Sequence, residues 1–301
     1  MDQPTILLCG GTGALGGAIA RHLAESGVPF RALVRSATDA HPLDGIATEV
    51  IRGDLRDSAS LRPALAGITT VISTVNAIGR LLGGARDLSI HDVDEIGYAN
   101  LIEAAEAAGV GRFVYVSALG DQRAAHTPFT DAKAATEDRL RASRMVEVIV
   151  RPDMFREVWL GPAGGFDVAH GKVTIYGHGQ AHHRFVAIDD VAKAIAKVAL
   201  AADPPRTLEL AGPDALSPRE AVVAFQKALG RPLRTRHIPR VAMLVGRTLA
   251  RPIKPEIASI MGMALAGDQA DTTIGPEGFE RLGIEPLHVA PYLAEVAAAA
   301  S

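Results

Sequence analysis

Three glycines spaced three apart, Gly10, Gly13 and Gly16, directly follow the apolar run Ile6-Leu7-Leu8-Cys9. Between them stand Gly11, Thr12, Ala14 and Leu15, and Ile19 and Leu23 then recur at helical spacing. A strand, a glycine turn and a helix in this order bring backbone N–H groups against a pyrophosphate and aim a helix N-terminus at its charge. The alternative is a tight turn with no ligand. The second strand-like run, Arg31–Val34, is followed by Arg35, and no carboxylate comes before Asp39. An acid there would bind the ribose 2′-hydroxyl of NAD, whereas a guanidinium suits the 2′-phosphate of NADP. NADP(H) is therefore expected over NAD(H), with a solvated surface arginine as the alternative.

Further polar residues stand at the ends of later strand-like runs. Gly53-Asp54-Leu55 follows the third, where the Asp54 carboxylate can accept from an adenine amine or simply cap its own turn. Ser73-Thr74-Val75-Asn76 ends the fourth with small residues, which lets Thr74 and Val75 pass close to a ribose and nicotinamide. Ser117 closes the fifth. Its hydroxyl can bind a substrate oxygen or the nicotinamide, or cap the turn that follows. His178, His182 and His183 cluster in a glycine-rich stretch without a cysteine or a well-spaced carboxylate, so no metal site is expected.

These residues need a scaffold that delivers strand ends to one edge. Short Val/Ile-rich runs at Thr5–Cys9, Arg31–Val34, Glu49–Ile51, Thr70–Thr74, Phe113–Ser117 and Glu147–Val150 alternate with helical patterns near Leu15–Ser26, Leu61–Leu65, Ile96–Ala108 and Thr130–Ser143. The alternation predicts an α/β fold, a Rossmann-type doubly wound parallel sheet. After Arg151-Pro152 the chain turns rich in Gly, Pro and His. We expect residues 1–151 to form the NAD(P)-binding domain, with later segments returning to it, and 152–301 a smaller substrate-binding lobe. There a helix capped by Asp190 is expected to run to about Ala202, then a strand at Thr207–Leu210 and a helix opened by Ser217-Pro218.

Composition narrows the function further. A net charge of −3 over 301 residues gives no electrostatic basis for binding nucleic acid. The lone cysteine, Cys9, cannot form an internal disulfide, which points to a reducing, cytoplasmic setting. Neither a signal peptide nor an apolar stretch long enough to span a membrane is expected.

Together, Gly10-Gly11-Thr12-Gly13-Ala14-Leu15-Gly16, Arg35, Gly53-Asp54-Leu55, Phe113-Val114-Tyr115-Val116-Ser117, Ala132-Lys133, Arg151-Pro152 and Phe185-Val186-Ala187-Ile188-Asp189-Asp190-Val191-Ala192 resemble the atypical short-chain dehydrogenase/reductase superfamily. The similarity is to its NmrA-like and complex I accessory-subunit-like branch, related to isoflavone reductases, and covers about residues 5–230. It implies that Lys133 binds the nicotinamide ribose and serves catalysis, and that Pro152, Asp153, Met154 and Phe155 pass the nicotinamide. The bland alternative for Lys133 is an exposed helix lysine paired with Glu137. Phe155, Trp159 and Phe166 are expected either to wall a flat apolar pocket or to pack between lobes.

One departure is chemical. The superfamily places a tyrosine four positions before its lysine, and this chain has Phe129 there. A phenyl ring has no proton to give. Isoflavone-reductase-like enzymes also lack that tyrosine and use the lysine, so catalysis remains open, and Tyr98 or Asn100 is a candidate replacement contact. The expected activity is NADPH-dependent reduction of a small aromatic or quinone-like carbonyl or conjugated substrate. The alternative is a non-catalytic NADP(H)-binding redox sensor or assembly factor acting through a protein partner.

Overall fold

The computed structural model describes residues 6–82, 85–120 and 123–300. Thr5, the first residue of the earliest expected strand, lies outside them. The chain divides into two compact units. The first comprises 1–123, 128–151 and 191–208, and the second 124–127, 152–190 and 209–301. The first unit thus includes residues 191–208.

The first unit is built from β1 (Ile6–Cys9), α1 (Ala14–Glu25), β2 (Phe30–Val34), β3 (Glu49–Arg52), α2 (Ser58–Leu65), β4 (Thr70–Ser73), α3 (Ile78–Leu82), α4 (Tyr98–Ala107), β5 (Arg112–Val116), α5 (Pro128–Ala142) and β6 (Val146–Pro152). The main sheet runs in the order β3-β2-β1-β4-β5-β6, and a seventh strand at Thr207–Leu210 follows β6. The first six are parallel, with Ile6 opposite both Phe30 and Thr70, and Phe113 opposite Glu147. The strand order reverses between β1 and β4, the place where an open α/β sheet leaves a crevice at its carboxyl end. The core under it joins Leu7, Cys9 and Val71 to Leu61, Leu65, Leu101 and Phe113, all buried. Burial also pushes the Cys9 thiol up to about 12, so it is an inert core residue.

The expected helix over Ile96–Ala108 starts earlier and differently. A π-helical stretch, His91–Gly97, leads straight into α4. Helical periodicity alone does not show such a widened turn, and it brings Asp94 into the interior, where it is buried.

The second unit contains α6 (Arg156–Trp159), β7 (Phe166–Asp167), β8 (Lys172–Tyr176), α8 (Pro218–Leu229), β10 (Arg234–Ile238), α9 (Arg240–Ala250), α10 (Pro255–Gly267), α11 (Glu277–Glu280) and α12 (Val289–Ala299). Between β8 and α8 in the chain come α7 (Ile188–Leu200) and β9 (Thr207–Leu210). A small sheet, β10-β8-β7, packs Val173 and Ile175 with Phe166, Phe225 and Leu293 in the second core. Helix α8 opens as expected: the Ser217 side chain accepts from the Glu220 N–H, and the Glu220 carboxylate accepts from the Ser217 N–H. Asp190 does not cap α7, which begins two residues before it. Its carboxylate instead accepts from Leu287 N at 2.8 Å, a long-range bond invisible to local sequence.

Candidate active site

The glycine turn is a backbone cradle with three distinct duties. Gly10 has φ +92°, and a Cβ there would lie 2.5 Å from Thr74 Oγ1 and 3.3 Å from Val75 N. The ends of β1 and β4 thus approach too closely for any side chain. A Cβ on Gly16 would stand 2.0 Å from the Gly10 carbonyl oxygen, so this glycine lets α1 pack onto the turn. Gly13 differs: its φ is −85°, and a Cβ would meet only Gly10 O, at an ordinary 3.4 Å. The fold itself does not require glycine there. Gly13 is also the N-cap of α1, no side chain caps that helix, and its first turn has no acid. The open N–H groups around Ala14 and Leu15, with no described atom but Gly10 O within 4 Å of a Cβ on Gly13, suit a pyrophosphate. Thr12 is half-buried beside them, Thr74 Oγ1 donates to Cys9 O at 3.4 Å, and Val75 is half-buried.

Arg35 follows β2 and is half-buried, with one N–H donated to Thr38 Oγ1 at 3.3 Å. Arg52, at the end of the neighbouring strand, donates to Arg35 O at 2.9 Å and Thr38 O at 2.8 Å. It fixes the turn that carries Arg35 and adds a second cation. The parallel pairing of Val34 with Arg52 is what brings them together, and the sequence alone offered only an apolar run ending in arginine. Asp54 receives a forked guanidinium from Arg56, at 2.7 Å to Oδ2 and 3.1 Å to Oδ1. The Arg56 bond, opposed by partial burial, holds its carboxyl below the usual range. Leu55 is buried, and its carbonyl accepts from Asn100 Nδ2 at 2.9 Å, which gives Asn100 a structural contact.

The residues around Lys133 form a buried polar cluster. Lys133 Nζ donates to Val116 O at 2.9 Å and lies 4.9 Å from the Phe129 ring centre and 5.2 Å from that of Tyr115. Burial pulls its amine down to about 8, although Asp94 and Glu137 oppose this. Burial also raises Asp94 to about 6, against the N–H of Ala77 bonded to Oδ2 at 2.9 Å and the charge of Lys133. The alternative reading of Lys133, an exposed lysine paired with Glu137, does not hold: Lys133 is buried and is bonded elsewhere. Glu137 Oε1 accepts from Arg151 Nε at 3.1 Å, and Oε2 from Arg141 at 2.7 Å. Burial raises the Glu137 carboxyl, but the bonds from Arg151 and Arg141, with the Ser117 hydroxyl nearby, outweigh this and hold it low. An ammonium has three donors, and Lys133 has committed one to Val116, so two are left for a ribose diol.

Ser117 is buried at the end of β5, and its hydroxyl makes no hydrogen bond of ordinary geometry, though it lies near Glu137. A buried hydroxyl without a firm partner is costly, and a ligand oxygen would satisfy it. Tyr98 is no replacement acid. Its hydroxyl donates to Val75 O at 2.8 Å and meets Ser73 Oγ at 3.0 Å, and burial drives its pKa well above the usual value.

Pro152 closes β6 and is buried, while Phe155 is half-buried and bridges to Val186. Asp153, which the resemblance places along the nicotinamide, is a hydrogen-bond hub within the second unit. Its carboxylate accepts from Met154 N at 2.8 Å, Arg184 N at 2.9 Å and Thr272 Oγ1 at 2.7 Å. Two of these three bonds, from Arg184 and Thr272, are long-range and invisible to local sequence.

The second unit has an apolar pocket of about 500 Å³ including its mouth. Trp159, Phe166, Tyr176 and Phe185 line it, with His183 and Asp268 among its polar groups. Phe155 does not line it, so the three aromatic residues expected to act together are divided. His183 is buried, and burial lowers its pKa, leaving a neutral imidazole as the polar contact. His178 and His182 serve the structure: the His178 N–H bonds Asp268 at 2.9 Å, and the His182 ring lies 3.2 Å from Glu220. No group of three or more metal-ligating side chains occurs among the described residues. No helix among them is long and apolar enough to cross a membrane.

Known proteins share this architecture. The chain is 28% identical to the NAD(P)H azoreductase of Xenophilus azovorans over 230 residues, 76% of this chain and 75% of that protein. It is 26% identical to the Photosystem II assembly factor Ycf39 of Synechocystis over 286 residues, 93% of this chain and 86% of that one. With some other curated relatives the match spans only 35% to 44% of their length. Among solved structures, the NADPH-dependent quinone oxidoreductase QOR2 of Escherichia coli, complexed with NADPH, superposes with a TM-score of 0.75 at 22% identity. That match covers 97% of this chain and 99% of the other, and at such identity it bears on the fold alone. The sequence profile of the NmrA-like family matches residues 2–276, and with it the chain belongs to that family.

Proposed function

We propose that the protein is an NADPH-dependent reductase of a small aromatic or quinone-like molecule. The observation that carries this is Lys133, a buried amine pulled down to about 8 and anchored on Val116 O, with two donors uncommitted. The glycine turn supports a dinucleotide: Gly13 leaves open the space that a pyrophosphate needs. Arg35, steadied by Arg52, supports the 2′-phosphate of NADP(H) over NAD(H). Relatives named as reductases support the reaction class.

In this reading Gly10, Thr12, Gly13, Ala14, Leu15 and Gly16 hold the pyrophosphate, and Arg35 the 2′-phosphate. Asp54 and Leu55 border the adenine, and Thr74 and Val75 border the ribose and nicotinamide. The bound cofactor supplies a hydride. Lys133 orients the ribose, and Ser117 offers its unsatisfied hydroxyl to a substrate oxygen. Phe129 provides no proton, so an acceptor that delocalises charge and takes its proton from water suits this chain. The apolar pocket lined by Trp159 and Phe166 supports a flat, aromatic substrate.

Stopped-flow loss of nicotinamide absorbance across a panel of quinones and enones tests the proposal. Turnover with at least one acceptor is expected, and Lys133→Ala should lower kcat by more than it weakens binding. Tight NADPH binding with no oxidation by any acceptor would reject the reductase. That outcome would favour the sensor or assembly role, which the likeness to the assembly factor supports.

A further inference from the structure

Residues 231–254 combine charge and exposed apolar surface in a way that the site above does not use. The segment holds Arg231, Arg234, Arg236, Arg240, Arg247, Arg251 and Lys254, and no Asp or Glu. The whole chain carries −3, so this stretch is +7 against −10 for the rest. It is also where large aliphatic side chains stand in water. Val241 is 72% exposed, Leu249 68% and Ile253 79%, and Leu244 and Val245 are exposed with them.

The arrangement on α9 is orderly. At 100° per residue, Val241, Leu244, Val245, Thr248 and Leu249 span an arc of about 140°, bordered by a ridge of Arg240, Arg247 and Arg251. Met243, on the opposite side of that ridge, is buried. The ridge is tied down: Arg240 Nε donates to Asp268 Oδ2 at 2.5 Å and Arg247 to Ala125 O at 3.2 Å. The helix is therefore held with its aliphatic face outward. Charges on β10 alone would be explained as protection of a sheet edge. That does not explain the five exposed aliphatic residues that follow them in the chain.

We propose that residues 231–254 are a docking surface for an anionic lipid membrane, on which the protein rests without spanning it. The exposed aliphatic residues enter the interface, and Arg231, Arg234, Arg236 and Lys254 meet the headgroup charge. Lipid fits better than a protein partner because the apolar face is wholly aliphatic and lacks the aromatic anchors common at protein interfaces. The four cations Arg231, Arg234, Arg236 and Lys254, in a stretch with no Asp or Glu, ask for a surface dense in negative charge.

The test is flotation of the full-length protein with phosphatidylcholine vesicles, with and without one part in four of phosphatidylglycerol. Binding to the anionic vesicles should exceed binding to the neutral ones by at least about tenfold and weaken as salt is raised. The double variant Leu249→Glu with Ile253→Glu should lose at least about tenfold of that binding. Both side chains are exposed, so its circular dichroism and melting temperature should match wild type. Arg234→Glu with Arg236→Glu provides a second, independent loss. Equal binding to both vesicle types, or no binding, would overturn the proposal. So would a dimer in light scattering that the Leu249→Glu/Ile253→Glu variant dissociates, since the face would then meet a second copy.

Discussion

Gly13 and Gly16 belong to one motif, yet the structure predicts opposite consequences for replacing them. A Cβ on Gly16 would lie 2.0 Å from Gly10 O, 2.6 Å from Gly10 C and 3.0 Å from Gly11 Cα. All three are backbone atoms, so the clash cannot be relieved by a rotamer, and α1 must move off the turn. Overpacking of this kind costs about 2–3 kcal/mol, more than the roughly 1 kcal/mol that alanine gains over glycine in a helix. Gly16→Ala should therefore lower the melting temperature by several degrees, roughly 2–8 °C. Gly13 has an ordinary φ of −85°, and its added Cβ would meet one atom at 3.4 Å. Gly13→Val should change stability by less than about 1 kcal/mol, because only a weak glycine cap is exchanged. Its methyl groups would nonetheless fill the space over the α1 N-terminus and weaken NADPH by more than about tenfold, a loss exceeding 1.4 kcal/mol. Thermal melts by circular dichroism and fluorescence titration with NADPH separate the two effects. Gly13→Val that is folded and binds within twofold of wild type would refute the pyrophosphate assignment. Gly16→Ala that melts with wild type would refute the packing argument.

Arg35→Ala should weaken NADPH by about ten- to a hundredfold and leave NADH nearly unchanged, as expected for a lost charge-assisted bond of about 1.5–3 kcal/mol. Parallel titrations of both cofactors decide it, and equal weakening would count against the 2′-phosphate role. Lys133 has its amine pulled down to about 8, so its cationic form is lost as pH rises through that value, and NADPH affinity should fall there. Asp94 raises the Lys133 pKa, so Asp94→Asn should move that fall to lower pH, as read from binding titrations across pH. An unmoved or upward-shifted limb would show that the two groups are not coupled. Ser217→Ala removes one half of the capping box at α8 and should cost about 0.5–2 kcal/mol in chemical denaturation without altering NADPH affinity.

Local spacing determined much of this protein. The run Ile6–Cys9 and the glycine triplet specify strand, turn and helix within the first 25 residues, because turn chemistry and helical period are short-range. The same holds for Thr207–Leu210 as a strand and for Ser217-Pro218 as a helix start. Tertiary structure alone decided who meets whom. Lys133 and Glu137 are spaced as a surface pair, yet parallel strand packing buries both and gives Glu137 to Arg151, 14 residues away. Tyr98 is a plausible acid by type, but the core encloses its hydroxyl against Val75, 23 residues earlier. The pocket of the second unit gathers Trp159, Tyr176, His183 and Asp268 from stretches more than 100 residues apart at the extremes. Periodicity says which face of an element is buried. It carries no information on the distant backbone that buries it, and that distant backbone sets the burial, bonding and pKa of each group in the candidate site.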